Sequence, residues 1–204
     1  MKIMLQIAAL ALVLTAKAQG NSEAILNFSS STAGSINGTV GWTFQTINSL
    51  SVTGLGAFNY IVASQGNIQV GLWADDGTLL ASNTITAGSA ITNQTRYESV
   101  QPVLLVAGNI YHIGAFAPGG SILVNVFSPD LPGTSLTVSS DIHVRGTAES
   151  GTGFGFPVEN APLDAGIYIG PNFRYSPGVP EPSTFALLSL GGLALAGFRR
   201  KRRR

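Results

Sequence analysis

The chain has 204 residues, 45% of them hydrophobic and only 10% charged, with no cysteine and a formal net charge of +1. That total hides a split: eight of the 11 cations are Lys2, Lys17 and the run Arg199 to Arg204, so residues 19–183 hold three arginines against all ten acids, a net charge of −7. Disulfides and thiolate metal sites are excluded, nucleic acid is a poor partner for so acidic a region, and about 160 residues suffice to bury a core without cross-links.

In chain order, residues 1–18 predict a cleaved secretory signal peptide. Lys2 precedes an apolar stretch from Ile3 to Ala16, and the small residues Ala16 and Ala18 flank Lys17. An A-x-A pattern behind such a stretch marks the cleavage site, here after Ala18, which leaves 19–178 as the exported domain. Within it, apolar residues recur in strand period between turn residues. The segments "AILNF", "TVGWTFQTI" and "LSVTGLGAF" come first. In the second, Val40, Trp42 and Phe44 are expected to face the core, with Gly41, Thr43 and Gln45 toward water. "NIQVGLWADDGTLLASNTI" predicts a hairpin turning at Ala74-Asp75-Asp76-Gly77, where Asp-Gly supplies positive φ. A second hairpin turns at Ala107-Gly108-Asn109, between strands around Val103–Val106 and Ile110–Phe116. "LPGTS", Leu131 to Ser135, reads as a turn, and "SILVNVF", "SLTVSSDIHVRG" and "AGIYIGPNFRY" complete about ten strands. No helical periodicity stands out. The fold class expected is all-β, an antiparallel β-sandwich of jelly-roll or Ig-like kind.

Residues that could carry chemistry are few. His112 and His143 are the two histidines. Asp141, His143 and Arg145 alternate along one predicted strand face and form a carboxylate-histidine candidate, against the plainer reading of a solvated polar row. Asp75 and Asp76 could contribute to a Ca²⁺ site, which needs six to eight oxygens, or they simply make the turn. Trp73, on the face opposite Leu72 and beside that turn, is the aromatic best placed to stack on a sugar, whereas Trp42 shares its face with Val40 and Phe44 and belongs to the core. No HExxH, GxSxG, P-loop or GxGxxG pattern occurs. No catalytic residue, metal ligand set or cofactor is therefore assigned, and the chain is expected not to be an enzyme.

The last 26 residues differ in kind. Val179-Pro180-Glu181-Pro182-Ser183 precedes an uncharged apolar run from Thr184 to Phe198, and Arg199, Arg200, Lys201, Arg202, Arg203 and Arg204 follow. Each proline fixes φ and disfavours helix in the residue before it, so residues 179–183 are expected to be extended, a form that a processing enzyme can grip. The 15-residue run would measure about 22 Å as a helix. It is expected to be a short transmembrane helix, with 199–204 as a cytoplasmic membrane stop. A plain rigid linker ahead of a permanent anchor is the alternative.

This Pro-Glu-Pro, apolar run and arginine-rich end resemble those of the PEP-CTERM proteins of Gram-negative bacteria. The resemblance implies that an exosortase in the inner membrane removes the tail and passes the protein toward the cell surface or an extracellular polysaccharide matrix. In the domain itself, "GWTFQT", "LSVTGLGAFN", "NIQVGLWADDGTLLAS", "PVLLVAGNIYHIGAF" and "GPNFRYSP" resemble a family of secreted bacterial β-sandwich domains of unknown function. The expectation is an exported surface or matrix protein with a structural or adhesive role in exopolysaccharide or biofilm. A carbohydrate-binding module and a glycan hydrolase are its rivals.

Overall fold

The computed structural model describes residues 21–29, 31–119, 121–130, 132–163 and 166–178. The expected signal peptide with Ala16 and Ala18, the motif 179–183, the apolar run 184–198 and the basic end 199–204 lie outside them.

Numbered in chain order, sixteen strands form four antiparallel sheets among the described residues. The five-stranded sheet runs β1 (Ser22–Glu23), β16 (Pro171–Pro177), β5 (Leu50–Phe58), β9 (Thr95–Leu105) and β8 (Ala90–Thr92). The six-stranded sheet runs β14 (Val158–Pro162), β13 (Ile142–Glu149), β4 (Val40–Thr46), β10 (Ile110–Phe116), β6 (Ile68–Ala74) and β7 (Leu79–Ile85). A smaller sheet joins β15 (Ile167–Ile169), β11 (Ser121–Phe127) and β3 (Ser31–Asn37), and β12 (Ser135–Val138) pairs with β2 (Ile25–Ser29).

The core lies where β4 faces β16. Phe173 stacks on Trp42 at 6.0 Å and on Phe44 at 5.0 Å, and Tyr111 approaches Phe44 at 5.9 Å. Leu50, Val52 and Leu55 of β5, Leu72 of β6 and Ile113 of β10 close around them, all buried. The indole N–H of Trp42 donates to the Pro171 carbonyl at 2.9 Å, so the largest side chain of the core leaves no polar atom unpaired. The β6–β7 hairpin forms as expected, but the second expected hairpin is corrected: the turn at Ala107-Gly108-Asn109 carries the chain from β9 of the five-stranded sheet to β10 of the six-stranded one, and the two strands pair with other partners. Gly77 (φ +86°) and Gly108 (φ +82°) adopt the left-handed conformation that the turns need, and the Asp76 carboxylate accepts the Thr78 N–H at 2.9 Å.

A plain two-sheet sandwich is corrected to a strongly curled, half-barrel arrangement. Only Ala24 separates β1 from β2, so the chain passes directly from the five-stranded sheet into the two-stranded one. From there β12 turns through Ser139–Asp141 into β13 of the six-stranded sheet. At the other margin β7 lies beside β9, where the Asn83 amide donates to the Ser99 carbonyl at 3.0 Å. Bulges between Val52 and Gly54, Leu72 and Trp73, Val144 and Gly146, and Arg174 and Tyr175 bend the strands enough for this closure.

Three further expectations change. "SLTVSSDIHVRG" and "AGIYIGPNFRY" each break into two strands, and β1, β3, β8 and β14 were not legible as alternating patterns. A short helix, α1 (Asn59–Gln65), has no side-chain cap to announce it; it forms by burying Ile61 and Val62, and ends at Gly66 (φ +81°), whose N–H donates to the Val62 carbonyl. The transmembrane helix expected over 184–198 is also corrected: no helix long and apolar enough to cross a membrane occurs among the described residues. Fifteen residues fall short of the roughly 20 that a spanning helix needs, and the run itself lies outside the described part.

Candidate functional site

The outer face of the six-stranded sheet was expected to meet water at β4, but Gly41 and Thr43 are buried there. Gly114 of β10 pairs in register with Gly41 of β4 on one side and Gly71 of β6 on the other. This row of glycines makes a trough. A Cβ at Gly71 would stand 2.3 Å from the Trp73 ring, and one at Gly114 would stand 2.4 Å from Thr39 Cγ2. The Trp73 ring lies back along its own strand over Gly71, and residues 150–157 fold across it. Phe154 reaches Trp73 at 5.4 Å, and Phe156 meets His112 edge-on at 4.7 Å. Thr39 fastens this strap: its N–H donates to Ser150 Oγ, and its hydroxyl donates to the Gly153 carbonyl and accepts the Gly155 N–H, each at 3.0 Å. Trp73 is thus 3% exposed. The expectation of a surface ring for sugar stacking is corrected, because the strap and the glycine floor cover both of its sides.

Asp75 and Asp76 line an open cleft of about 530 Å³ together with Leu80, Leu104, Gly108 and Asn109. The two carboxylates do different work. Asp75 is held at 3.0 Å from Nε2 of the buried His112, whose Nδ1 has no partner among the described residues. Asp76 accepts the Thr78 N–H, and that bond holds its carboxyl below the ordinary carboxylate range. Two carboxylates already engaged in this way fall well short of the oxygen cage that Ca²⁺ takes. Among the described residues no group of three or more His, Asp or Glu could hold a metal ion.

Asp141, His143 and Arg145 do not come together. Asp141 sits in the turn before β13, where its carboxylate accepts the Tyr175 hydroxyl at 2.9 Å and the Asn48 amide at 2.8 Å. His143 is exposed, and Arg145 is the extra residue of the Val144/Gly146 bulge, pairing with Glu159 at 3.3 Å. A bulge shifts every later side chain by one position, so a strict alternation misreads the face.

The most connected polar group was not anticipated. Asn172, buried in β16, accepts the Ile25 N–H and donates to the Ile25 carbonyl, each at 2.9 Å, and its amide also donates to the Tyr97 hydroxyl at 2.8 Å. The Arg174 guanidinium lies 3.9 Å over the Tyr97 ring and reaches Glu23 at 3.5 Å, while the Asn93 amide donates to the other Glu23 oxygen at 2.9 Å. Asn93 holds a left-handed φ of +51° at the tip of the β8–β9 hairpin. Burial, and then the Glu23 charge, push the Tyr97 phenol well above its ordinary value. Tyr175 is likewise raised, chiefly by burial; its bond to Ser139 opposes the rise and Asp141 adds to it. Partners up to 151 residues apart give no local signal in a sequence. This group fastens β1, β16 and β9, and beside it Glu23, Ile25 and Asn93 line a narrow pocket with Asn27 and Gln94.

Two comparisons bear on function. A model of the PEP-CTERM protein-sorting motif matches residues 178–203, and no curated protein matches the chain. The motif makes this an exosortase substrate, exported by way of a membrane intermediate to the cell surface or extracellular matrix. The domain that it delivers is all-β. A model described as Domain of unknown function (DUF4082) matches residues 26–169, most of the chain and nearly all of the curled domain, and the protein belongs to that family.

Proposed function

We propose that residues 19–178 are a non-enzymatic structural or adhesive component of the extracellular polysaccharide. In this reading residues 1–18 are removed on export. The protein then passes through the inner membrane region with its tail, and the exosortase acts at Val179–Ser183. One observation carries the reading: three carboxylates, those of Glu23, Asp141 and Glu159, are engaged in joining separate strands. Glu23 ties β1 to Arg174 of β16 and to Asn93. Glu159 ties β14 to Arg145 of β13 and, at 2.6 Å, to the Thr43 hydroxyl of β4. Asp141 ties the turn before β13 to Tyr175 of β16 and to Asn48. Such bonds stiffen a curled sheet assembly, which suits a load-bearing or spacing element.

The test is intact mass spectrometry of the protein recovered from its own host, wild type beside Glu181→Ala, with the matrix fraction assayed for cohesion. The expected result is tail loss in the wild type alone, with a matrix that weakens when the protein stays unprocessed. Release of soluble sugars from purified matrix by the processed protein would overturn the non-enzymatic reading.

A further inference from the structure

The first residue of the sorting-motif match is tied into the folded domain. Gly178 is that residue, and its N–H donates to the Ser49 carbonyl at 2.7 Å. A Cβ at Gly178 would stand 2.7 Å from that same oxygen, so the glycine permits the close approach. Ser49 in turn accepts the Ala107 N–H on its hydroxyl at 3.2 Å, and Thr46 joins the same two turns by donating to the Val106 carbonyl. The chain therefore leaves from a fixed point between the β4–β5 and β9–β10 turns. Five residues reach about 18 Å at most, so an enzyme that grips 179–183 works within that distance of the surface around Ser49.

That surface is apolar. Ile47 is 55% exposed, Val106 48% and Leu104 59%, and Leu79 stands bare on the neighbouring hairpin. Half of the exposed large hydrophobic residues among the described ones thus gather at the end from which the tail departs, where single scattered ones would need no explanation.

The geometry points to the end of the domain around Ile47, Val106 and Leu104 as a docking surface for the enzyme that acts on the sorting motif, continuous with the motif itself. The substrate is then read as a folded face plus a peptide, with the face supplying apolar contact and Gly178 fixing the angle of exit. The inference rests on the sorting of this chain and adds a second contact to it.

The test follows tail loss in the host by intact mass for the wild type, for Ile47→Glu with Val106→Glu, and for Tyr60→Glu with Ile91→Glu at the far end of β5. A chain with six Gly/Ser residues inserted between Gly178 and Val179 is the fourth sample. The expected result is about a tenfold slower tail loss for the Ile47/Val106 pair, as for one lost apolar anchor, with an unchanged rate at the far end and an unchanged melting curve for both. With the spacer present, the Ile47/Val106 pair should add no further slowing, since face and peptide are then uncoupled. Wild-type rates in the Ile47/Val106 variant would overturn the inference while leaving sorting intact, whereas a wild type that never loses its tail would sink sorting itself. Rates that stay unchanged while the variant loses zwitterionic vesicle binding, or turns from dimer to monomer, would assign the face to lipid or to a second copy and overturn it equally.

Discussion

The outer face of the six-stranded sheet and the end from which the tail departs treat their apolar residues in opposite ways. On the sheet face Trp73 is roofed by residues 150–157 and floored by Gly71, so that little of the largest ring on that side meets water. At the tail end Ile47, Val106 and Leu104 stand exposed, with no segment among the described residues folded over them. The difference teaches that an apolar residue beside a turn has no intrinsic fate. A distant segment covers it or leaves it for a partner.

The comparison breaks most sharply at Trp73. If the ring is part of a second, smaller core, Trp73→Ala should cost about 3–5 kcal/mol, read by chemical denaturation; a cost near zero with loss of polysaccharide binding would return it to the surface. Gly71→Val should cost about 1–3 kcal/mol, because the new side chain enters the space of the indole. A neutral outcome would mean that the ring does not rest there. Thr39→Val removes the hydroxyl that both donates to and accepts from the strap. The expected loss is about 1–2 kcal/mol, together with faster proteolysis within 150–157.

Alkaline titration probes the polar group on β16 and leaves both compared regions alone. Tyr97 has its folded pKa raised, so its stabilisation is complete below the ordinary phenol value near 10 and is lost as pH climbs from there toward the folded value. About 1 kcal/mol should disappear one unit above that ordinary value, and a stability flat across that range would contradict the burial of its hydroxyl. Smallest of all is the effect on the open end. Ile47→Glu with Val106→Glu should change stability by no more than about 0.5 kcal/mol, and a larger loss would show that these side chains support the fold and are not simply displayed.

Several elements were legible because their cause is local. The Asp76-Gly77 and Gly108-Asn109 turns follow from the one residue type that takes positive φ freely, and the burial of Trp42 follows from the company of Val40 and Phe44 on its face. The candidate site was less legible. Trp73 alternates correctly out of the core, yet alternation cannot show that residues 150–157 return over it. Asp141, His143 and Arg145 share a face only in an unbroken strand, which the bulge at Arg145 denies. The seven-residue α1 has too few turns to show a period and forms because tertiary contacts bury two of its residues.

What the amino-acid order determined alone is therefore the all-β character, the turn positions, the charge split and the sorting motif. Each depends on residues within a few positions of one another. Only the tertiary structure decided the half-barrel curl, the burial of Trp73, the wiring of Glu23 to Arg174 and the junction of Gly178 with Ser49. In each of those, the deciding contact comes from a part of the chain far away in sequence, and composition carries no trace of it.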